Sequence, residues 1–226
     1  MMGILERKGR EKEHRKAEIL QAAHEIFFEK GLQNTTMDEI AEKAELSKGT
    51  LYLYYKSKED LYLAVMMEGL HVLYDLFEQV IDTKESVPVR LKNLGEVYFK
   101  YYNEHKNYFR MFYYFQHPHF HKQVSPEMMQ SCTIENQRLW KLILDLIDLG
   151  IREGDVRPNI NSSEVGLILW TTSAALLTKL DMQYEYFKQA MNVDLVHVYQ
   201  AANALLLDSL LTEQGKQKYE HHGTVS

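Results

Sequence analysis

Residues 35–61 read TTMDEIAEKAELSKGTLYLYYKSKEDL. Within this stretch, Thr36 followed by Glu39 is a capping-box pattern, which predicts the start of a short helix of about eight residues. A tight turn follows, and Ser47 has the hydroxyl that caps the start of a helix, so we expect a second short helix from Ser47 to about Tyr55. The stretch therefore predicts two short helices joined by a tight turn, which is the arrangement of a helix-turn-helix.

The remainder of the chain also has the pattern of helices. Apolar residues recur at helical spacing from about Arg10 to Lys30, and again from the N-cap Ser57 to about Asp82. Further helices are predicted at 88–104, 106–115, 126–153, 162–187 and 194–214. Because no strand alternation of useful length is present, the predicted fold class is all-α.

These helices divide the chain into three segments. Residues 1–56 are expected to form an N-terminal three-helix domain that contains the helix-turn-helix. Residues 57–214 are expected to form a larger helical domain. Residues 215–226 are polar, and we predict a frayed C-terminal tail there.

The composition predicts a cytoplasmic protein. The single cysteine, Cys132, excludes an intrachain disulfide and fits a reducing compartment. Residues 1–15 are charged and lack the apolar segment of a secretory signal. No apolar run reaches the length of about 18 residues that a membrane span needs, so we expect no membrane segment.

The charge distribution favours a nucleic-acid partner at one end of the chain. The net charge of −6 by itself argues against such a partner. Residues 1–16, however, carry six Lys and Arg against three Glu, and residues 47–58 carry three Lys and no acid. A basic N-terminal end on an acidic protein is compatible with DNA binding through that end.

The start of the second short helix has side chains suited to contact with DNA. In a helix-turn-helix this helix lies in the major groove. Gly49 allows the backbone to approach closely, the Thr50 methyl can contact thymine, and Lys48 can donate to guanine or to a phosphate. Thr36 and Ser47 stand at helix N-termini, where free N–H groups bind phosphate.

The runs 35–41 and 46–61 resemble the DNA-binding signature of the TetR family of regulators. The resemblance covers the first quarter of the chain. It departs from the family at Tyr55, where phenylalanine is more usual, and we expect this side chain to pack inward with a partner for its hydroxyl. Position by position, the resemblance implies DNA contacts at Thr35, Thr36, Ser47, Lys48, Gly49, Thr50, Tyr52, Tyr54 and Lys58.

Not every apolar side chain of the second short helix is assigned to DNA. Leu53 also faces the groove, where it offers only apolar contact. The other interpretation of this segment is ordinary core packing. We adopt it for Leu51 and Tyr55 but not for Tyr52.

The resemblance implies a sequence-specific DNA-binding transcriptional regulator that forms a homodimer. The expected form is a bacterial repressor, released from a palindromic operator when a small hydrophobic or aromatic effector binds within residues 57–214. The alternatives are an activator or an effector-independent regulator of the same family and, more remotely, a helical protein-binding adaptor. An enzyme is not expected, because the sequence has no Gly-rich phosphate loop, H-E-x-x-H motif or nucleophile elbow. We therefore assign no catalytic residue, metal ligand or cofactor.

Aromatic residues mark the expected effector site. Ten of the 26 aromatic residues fall between Tyr98 and Phe115. So many rings on two helices need a large apolar interior, and the family resemblance implies an effector cavity there. Ordinary core packing is the alternative for each ring. The residues assigned to the cavity are Phe99, Tyr102, Phe109, Phe112, Tyr113 and Trp170.

The last two predicted helices are expected to form the dimer interface. The resemblance implies that they build a four-helix bundle with a second subunit. A dimer also has a physical reason, since two recognition helices read half-sites about 34–36 Å apart. A core within one subunit is the alternative. The residues assigned to the interface are Leu195, Tyr199, Ala202, Leu206 and Leu210.

Two further features have competing interpretations. His117, His119 and His121 place three imidazoles at alternate positions, which suits either a zinc, copper or nickel site or a solvated loop. We favour the loop, because alternation alone does not converge three ligands. Cys132 is either a small buried residue or a redox sensor, and we favour the buried residue.

Overall fold

The protein is built from helices. The computed structural model describes residues 3–115 and 118–223. In these ranges we find an isolated antiparallel bridge between Val156 and Leu211 and no strand, so the all-α prediction is confirmed. The helices are α1 Ile4–Lys30, α2 Met37–Lys43, α3 Lys48–Tyr52, α4 Lys58–Ile81, α5 Val87–Glu104, α6 Lys106–Phe115, α7 Pro118–His121, α8 Pro126–Glu153, α9 Ser162–Met191, α10 Leu195–Leu210 and α11 Glu213–Gly223.

The chain forms two compact units. Unit 1 consists of Met1–His71 and His105–Asn136. Unit 2 consists of Val72–Glu104 and Gln137–Ser226. The units are divided within α4 and α8, and the functional division predicted at residue 57 stays a prediction.

The core of unit 1 joins the two short helices to α1 and α4. Ile19 of α1, Ile40 of α2, Leu51 of α3 and Leu61 of α4 are all fully buried. Each such aliphatic side chain contributes about 1.5–3 kcal/mol by leaving water. Cys132 lies in the same core, and burial raises the pKa of its thiol to about 11. The reactive thiolate is therefore disfavoured, which agrees with the interpretation of Cys132 as a buried structural residue.

The helices of unit 1 differ in length from their predicted bounds. The first begins at Ile4 rather than near Arg10, so the basic N-terminal segment is helical. α3 ends at Tyr52, three residues earlier than predicted. It ends there because the Leu53 N–H donates to the Thr50 carbonyl, a tight bond that closes the last turn.

In unit 2, α9 and α10 pack against each other and α10 packs against α5. Leu177 and Ser173 of α9 and Tyr199 of α10 are buried. The Ser173 hydroxyl donates to Asn203 Oδ1 at 3.0 Å, and the Tyr199 hydroxyl donates to the Gly95 carbonyl at 2.7 Å. Polar groups inside this packing are thus paired with one another, as buried polar groups require.

The prediction of a frayed tail after residue 214 is wrong up to Gly223, because this segment forms α11. Thr212 caps the helix by accepting the Gly215 N–H at 3.1 Å. Lys218 Nζ lies 2.7 Å from Asp155 Oδ1, and the Asp155 side chain is fully buried. A buried carboxylate needs such a partner. The sequence signal was missed because Asp155 lies far away along the chain.

One described helix, α9, is long and apolar enough to cross a membrane by length and composition. This corrects the expectation that no segment meets that criterion. Only 22% of the most apolar window of α9 is buried within the described structure. Length and composition do not distinguish a membrane-spanning helix from one that another protein surface covers. The helix therefore has an open apolar face that needs an explanation.

Candidate nucleic-acid interface

The turn between α2 and α3 is fixed by backbone geometry. Glu45 adopts a left-handed conformation with φ of 54°. The following Leu46 N–H donates to the Ala41 carbonyl at 2.8 Å, which closes the end of α2. A non-glycine residue in this conformation carries a modest cost, which the surrounding bonds offset. The turn thus ends α2 and fixes where α3 begins.

The predicted capping box at the start of α2 is present. The Glu39 N–H donates to Thr36 Oγ1 at 3.2 Å, and the Thr36 N–H donates to Glu39 Oε2 at 2.8 Å. Lys30 Nζ lies 2.8 Å from Glu39 Oε1. The hydrogen bonds from Lys30 and Thr36 lower the pKa of Glu39 to about 2. The start of α2 is therefore held by an ionised carboxylate over the whole physiological pH range.

The start of α3 is also capped as predicted, and it is open to solvent. Ser47 Oγ accepts the Thr50 N–H at 3.1 Å and lies 2.8 Å from the Thr50 hydroxyl. Ser47, Lys48 and Gly49 are exposed. A Cβ added at Gly49 would meet nothing nearer than Ser47 Oγ at 3.8 Å. This end of α3 can therefore approach a large ligand closely.

Lys48 has a partner that the sequence pattern did not indicate. Its Nζ lies 2.8 Å from Asp38 Oδ1 of α2, and the side chains are both more than half exposed. The hydrogen bond with Asp38 raises the pKa of Lys48. The signal was hard to find because the two residues come from different helices. Asp38 is a helix-start acid that sequence analysis attributes to the α2 N-terminus.

Two of the predicted contact residues lie further inside. Thr35 is 1% exposed, and its hydroxyl donates to the Gly31 carbonyl at 2.7 Å. Lys58 Nζ donates to the Thr35 carbonyl at 2.9 Å. The Thr35 side chain therefore fixes the loop before α2 and does not face solvent, which differs from the role that the family resemblance implies. Lys58 is half-buried and fixes the same loop.

The aromatic and aliphatic residues of this segment separate into two groups. Leu51 and Tyr55 are buried in the core of unit 1, as the sequence interpretation has it. The sequence analysis predicts a hydrogen-bond partner for the Tyr55 hydroxyl. Among the described residues we find none. Tyr52 is 43% exposed and Leu53 is 83% exposed. Tyr54 is half-buried at the edge of the core.

Comparisons with known proteins agree with this geometry. The family model described as bacterial regulatory proteins of the tetR family matches residues 19–65. The HTH-type transcriptional repressor KstR2 of Mycolicibacterium smegmatis is 27% identical over 147 residues, which are 65% of this chain and 70% of that protein. The HTH-type transcriptional activator FasR of the same organism is 31% identical over 102 residues, which are 45% of this chain and 47% of that protein.

Residues 19–65 therefore carry the DNA-binding domain of the TetR family.

The likeness in fold extends beyond the matched segment. The crystal structure of the transcriptional regulator FadR from Bacillus subtilis in complex with stearoyl-CoA has a TM-score of 0.64 at 20% identity. The alignment covers 85% of this chain and 97% of that chain. The larger helical part is therefore also shared in fold. The protein is a helix-turn-helix DNA-binding transcriptional regulator.

In unit 2, two cavities adjoin each other. The larger, of about 380 Å³, lies between α5, α9, α10 and α11, and Phe99 lines it. The smaller, of about 60 Å³, has Trp170 in its wall. Trp170 stacks on Tyr98 with ring centroids 4.9 Å apart. These two of the six predicted effector residues thus line cavities, but different ones.

The other predicted effector residues are placed elsewhere. Tyr102 is buried in unit 2, where its hydroxyl donates to Asp181 Oδ1 at 3.4 Å. Phe109 is buried in unit 1, and Phe112 packs against the core of the same unit. The Tyr113 side chain lies outside the described residues. The dense aromatic run of α5 and α6 is therefore divided between two units, because α6 belongs to unit 1.

The histidines near α7 have protein partners. His121 Nε2 bonds with the Phe115 carbonyl, and His119 Nε2 lies 3.0 Å from Gln123 Nε2. His117 lies outside the described residues. Within the described part of the chain, no cluster of three His, Cys, Asp or Glu residues suits a metal ion.

The residues predicted for the dimer interface differ in their exposure. Leu195 and Tyr199 are buried inside unit 2 itself, so another subunit cannot reach them. Ala202, Leu206 and Leu210 are half-buried. The most open apolar side chains are instead others on the same two helices. They are Leu167, Ile168, Met182, Tyr186 and Met191 of α9 and Leu205 of α10.

Proposed function

We propose that this protein is a homodimeric repressor that binds a palindromic operator and leaves it when a small, largely apolar effector binds unit 2. The observation that carries the DNA-binding part is the capped, open start of α3, where Ser47, Lys48 and Gly49 lie side by side. Helix N-termini of this kind accept phosphate, and the first residues of a recognition helix meet base edges. The protein acts in the cytoplasm and without catalysis of its own.

The DNA contacts divide into two kinds. Thr36 and Ser47 cap helices and are placed to bind phosphates through the free N–H groups beside them. Lys48, Thr50 and Tyr52 are the candidates for contact with bases or with phosphates at the groove edge. The remaining candidates support DNA binding indirectly. Gly49 allows close approach, Tyr54 lies at the core edge, and Lys58 and Thr35 hold the loop before α2.

The dimer interface is the open apolar face of α9 and α10. Leu205 is 73% exposed on α10, and Leu167 and Ile168 are more than half exposed on α9. Because α9 and α10 pack side by side, a second copy that presents the same two helices covers both rows at once. This also explains how a helix with the composition of α9 exists in a soluble regulator. Ala202, Leu206 and Leu210 are half-buried at the edge of this face.

Both the ligand of a protein similar in fold and the cavity of unit 2 favour an effector with a large apolar part. The FadR structure from Bacillus subtilis holds stearoyl-CoA, whose acyl chain is apolar. In unit 2, the larger cavity has a mostly apolar wall. Such an effector acts by a population shift: it binds better to a form whose recognition helices no longer match the half-site spacing, and it weakens DNA binding by that difference in affinity.

Activation is the second candidate function. The relative FasR is named an activator, while KstR2 is named a repressor, so both actions occur among proteins similar to this one. Repression is favoured because the KstR2 alignment covers more of this chain.

Selection from a randomised duplex library tests the proposal directly. Purified protein is incubated with the library at two salt concentrations, and the bound duplexes are sequenced. A palindromic consensus is expected, with affinity that falls as salt rises because phosphate contacts release counterions. No enrichment at low salt would contradict sequence-specific binding. The selected site placed upstream of a reporter then distinguishes repression from activation.

A further inference from the structure

The larger cavity of unit 2 is enclosed by helices from distant parts of the sequence. α5 contributes Leu91 and Phe99, α9 contributes Leu169, α10 contributes Leu207, and α11 contributes Tyr219. Its volume of about 380 Å³ lies within the range of roughly 300–1,000 Å³ typical of sites for small organic ligands.

The interior and the mouth of this cavity differ in chemistry. Aliphatic and aromatic side chains form the interior, and the Tyr199 hydroxyl there is already used, since it donates to the Gly95 carbonyl. Lys92 and Glu96 lie at the mouth as an ion pair, with Nζ and Oε1 3.0 Å apart and both side chains exposed. An occupant therefore needs an apolar body inside and a polar end at the mouth.

The cavity adjoins the smaller one over Gly95. Gly95 and Asn203 line both cavities. A Cβ added at Gly95 would lie 3.3 Å from Asn203 Oδ1, so any side chain there would crowd the passage between α5 and α10. Asn203 Nδ2 donates to the Tyr199 carbonyl, and Asn203 Oδ1 accepts from Ser173, which fixes the orientation of this amide beside Gly95. The space between α5 and α10 is thus narrow at Gly95.

The wall formed by α11 is anchored by residues other than the one that lines the cavity. Tyr219 lines the cavity, one residue after Lys218, which pairs with the buried Asp155. Gln214 Nε2 also donates to Asp155 Oδ1, at 3.1 Å. The anchoring residues do not line the cavity, so a change at Tyr219 alters the cavity without removing the anchor.

We propose that this cavity binds an elongated amphiphile, with its apolar body between α5, α10 and α11 and an anionic end beside Lys92. The carboxylate of such a ligand replaces Glu96 as the partner of Lys92. The binding part of this proposal is argued from the cavity alone. Its regulatory part rests on the proposed effector-responsive function.

Fluorescence of cis-parinaric acid, a long-chain polyene carboxylate, tests the site in the full chain. The two tryptophans, Trp140 and Trp170, lie 5.9 Å apart in unit 2, and Trp170 lines the adjoining cavity. Excitation of tryptophan should therefore sensitise emission from the bound probe. Ala204→Phe fills the cavity from α10 and should weaken binding roughly tenfold or more. Ala190→Phe, an exposed alanine of α9 that does not line the cavity, should leave it unchanged.

Two further variants test whether a loss of probe binding comes from the cavity and not from unfolding. Tyr219→Ala removes part of the opposite wall and should speed dissociation of the probe, while Glu96→Gln should tighten binding of the acid but not of its methyl ester. Circular dichroism and light scattering establish that each variant keeps its fold and its oligomeric state. Probe binding that is absent in the unchanged protein, or equal in both phenylalanine variants, would overturn the assignment.

Regulation is measured separately from binding. The probe is added to the complex of the protein with its selected operator duplex. Release that Ala204→Phe abolishes supports both the cavity and the effector-responsive function. Probe binding that Ala204→Phe blocks, without any effect on the operator complex, supports the ligand site and contradicts its role as the effector site.

Discussion

Lys48 Nζ lies 2.8 Å from Asp38 Oδ1, so the first residue of α3 is ion-paired with α2. Both side chains are exposed, and an exposed pair of this kind contributes at most about 1 kcal/mol. Lys48 can therefore exchange its partner for a phosphate or a base at little cost. The pair holds the ammonium close to the open start of α3 without burying it.

The first prediction concerns the lysine. Lys48→Ala should lower operator affinity by about 1–3 kcal/mol if Lys48 contacts a base, and the loss should then fall on one position of the site. If Lys48 contacts a phosphate, the loss is equal on all sequences and the salt slope decreases by about one. Fluorescence anisotropy with the selected site and single-base variants, at several salt concentrations, distinguishes the two. Unchanged affinity everywhere would remove Lys48 from the interface.

The second prediction concerns its partner. Asp38→Asn removes a negative charge that faces the DNA phosphates and frees Lys48, so operator binding should tighten, most clearly at low salt. Glu42→Gln, also exposed on α2, is the matched control for the change in net charge. Equal tightening in both variants would show that overall charge, and not the pair, is responsible.

The third prediction tests the capping box. Thr36→Ala removes the oxygen that accepts the Glu39 N–H and should lower the free energy of unfolding by about 1 kcal/mol. Thr133→Ala is the control, since that exposed hydroxyl donates to a carbonyl within α8 and caps no helix. Urea denaturation measures both. A loss in operator affinity beyond that explained by unfolding would indicate an additional phosphate contact at Thr36.

The fourth prediction tests the apolar face of α9 and α10. Leu205→Glu places a charge on the proposed interface in both subunits, and the dimer should dissociate roughly a hundredfold more readily or worse. Ile134→Glu, at an exposed position on α8 in unit 1, should leave the dimer intact. Sedimentation equilibrium over a range of concentrations gives both values. A monomeric unchanged protein at micromolar concentration would contradict the dimer itself.

The fifth prediction uses Glu68, a half-buried carboxyl group of unit 1. Burial raises the pKa of Glu68, and the Tyr108 hydroxyl donates to its Oε2 at 3.4 Å. A folded pKa above the unfolded value means that stability is lost as pH rises through the folded pKa. Glu68→Gln, neutral at every pH, should therefore gain Tm over the unchanged protein as pH rises from about 4 to 7. Glu29→Gln, exposed on α1, should show no such trend.

Local sequence signals were enough to predict the helix-turn-helix formed by α2 and α3. The caps at Thr36 and Ser47 and the burial of Leu51 follow from spacing within a few residues, and all three are found. The length of α3 was overestimated, because nothing near Leu53 marks the end of that helix in the sequence. Thr35 was assigned to DNA by family resemblance, whereas its hydroxyl bonds with the backbone of the preceding turn.

Contacts between distant residues could not be predicted in the same way. The faces of α9 and α10 have similar apolar spacing on their inner and outer sides, so the sequence did not distinguish Tyr199 inside from Leu205 outside. The aromatic run from Tyr98 to Phe115 suggested one cavity, but it crosses from one unit to the other. The anchoring of α11 depends on Asp155, a carboxylate whose burial no local pattern reveals.

The close approach of Gly215 to Asp155 has an evolutionary consequence. A Cβ at position 215 would lie 2.2 Å from the Asp155 carbonyl oxygen, so only glycine allows α11 to keep this position. In a related protein without this glycine, the last helix could not pack against residue 155. Selection would then no longer preserve an acid at 155 or a lysine at 218. These three positions should therefore change together among related regulators, and their joint presence marks the members in which a helix equivalent to α11 packs on unit 2.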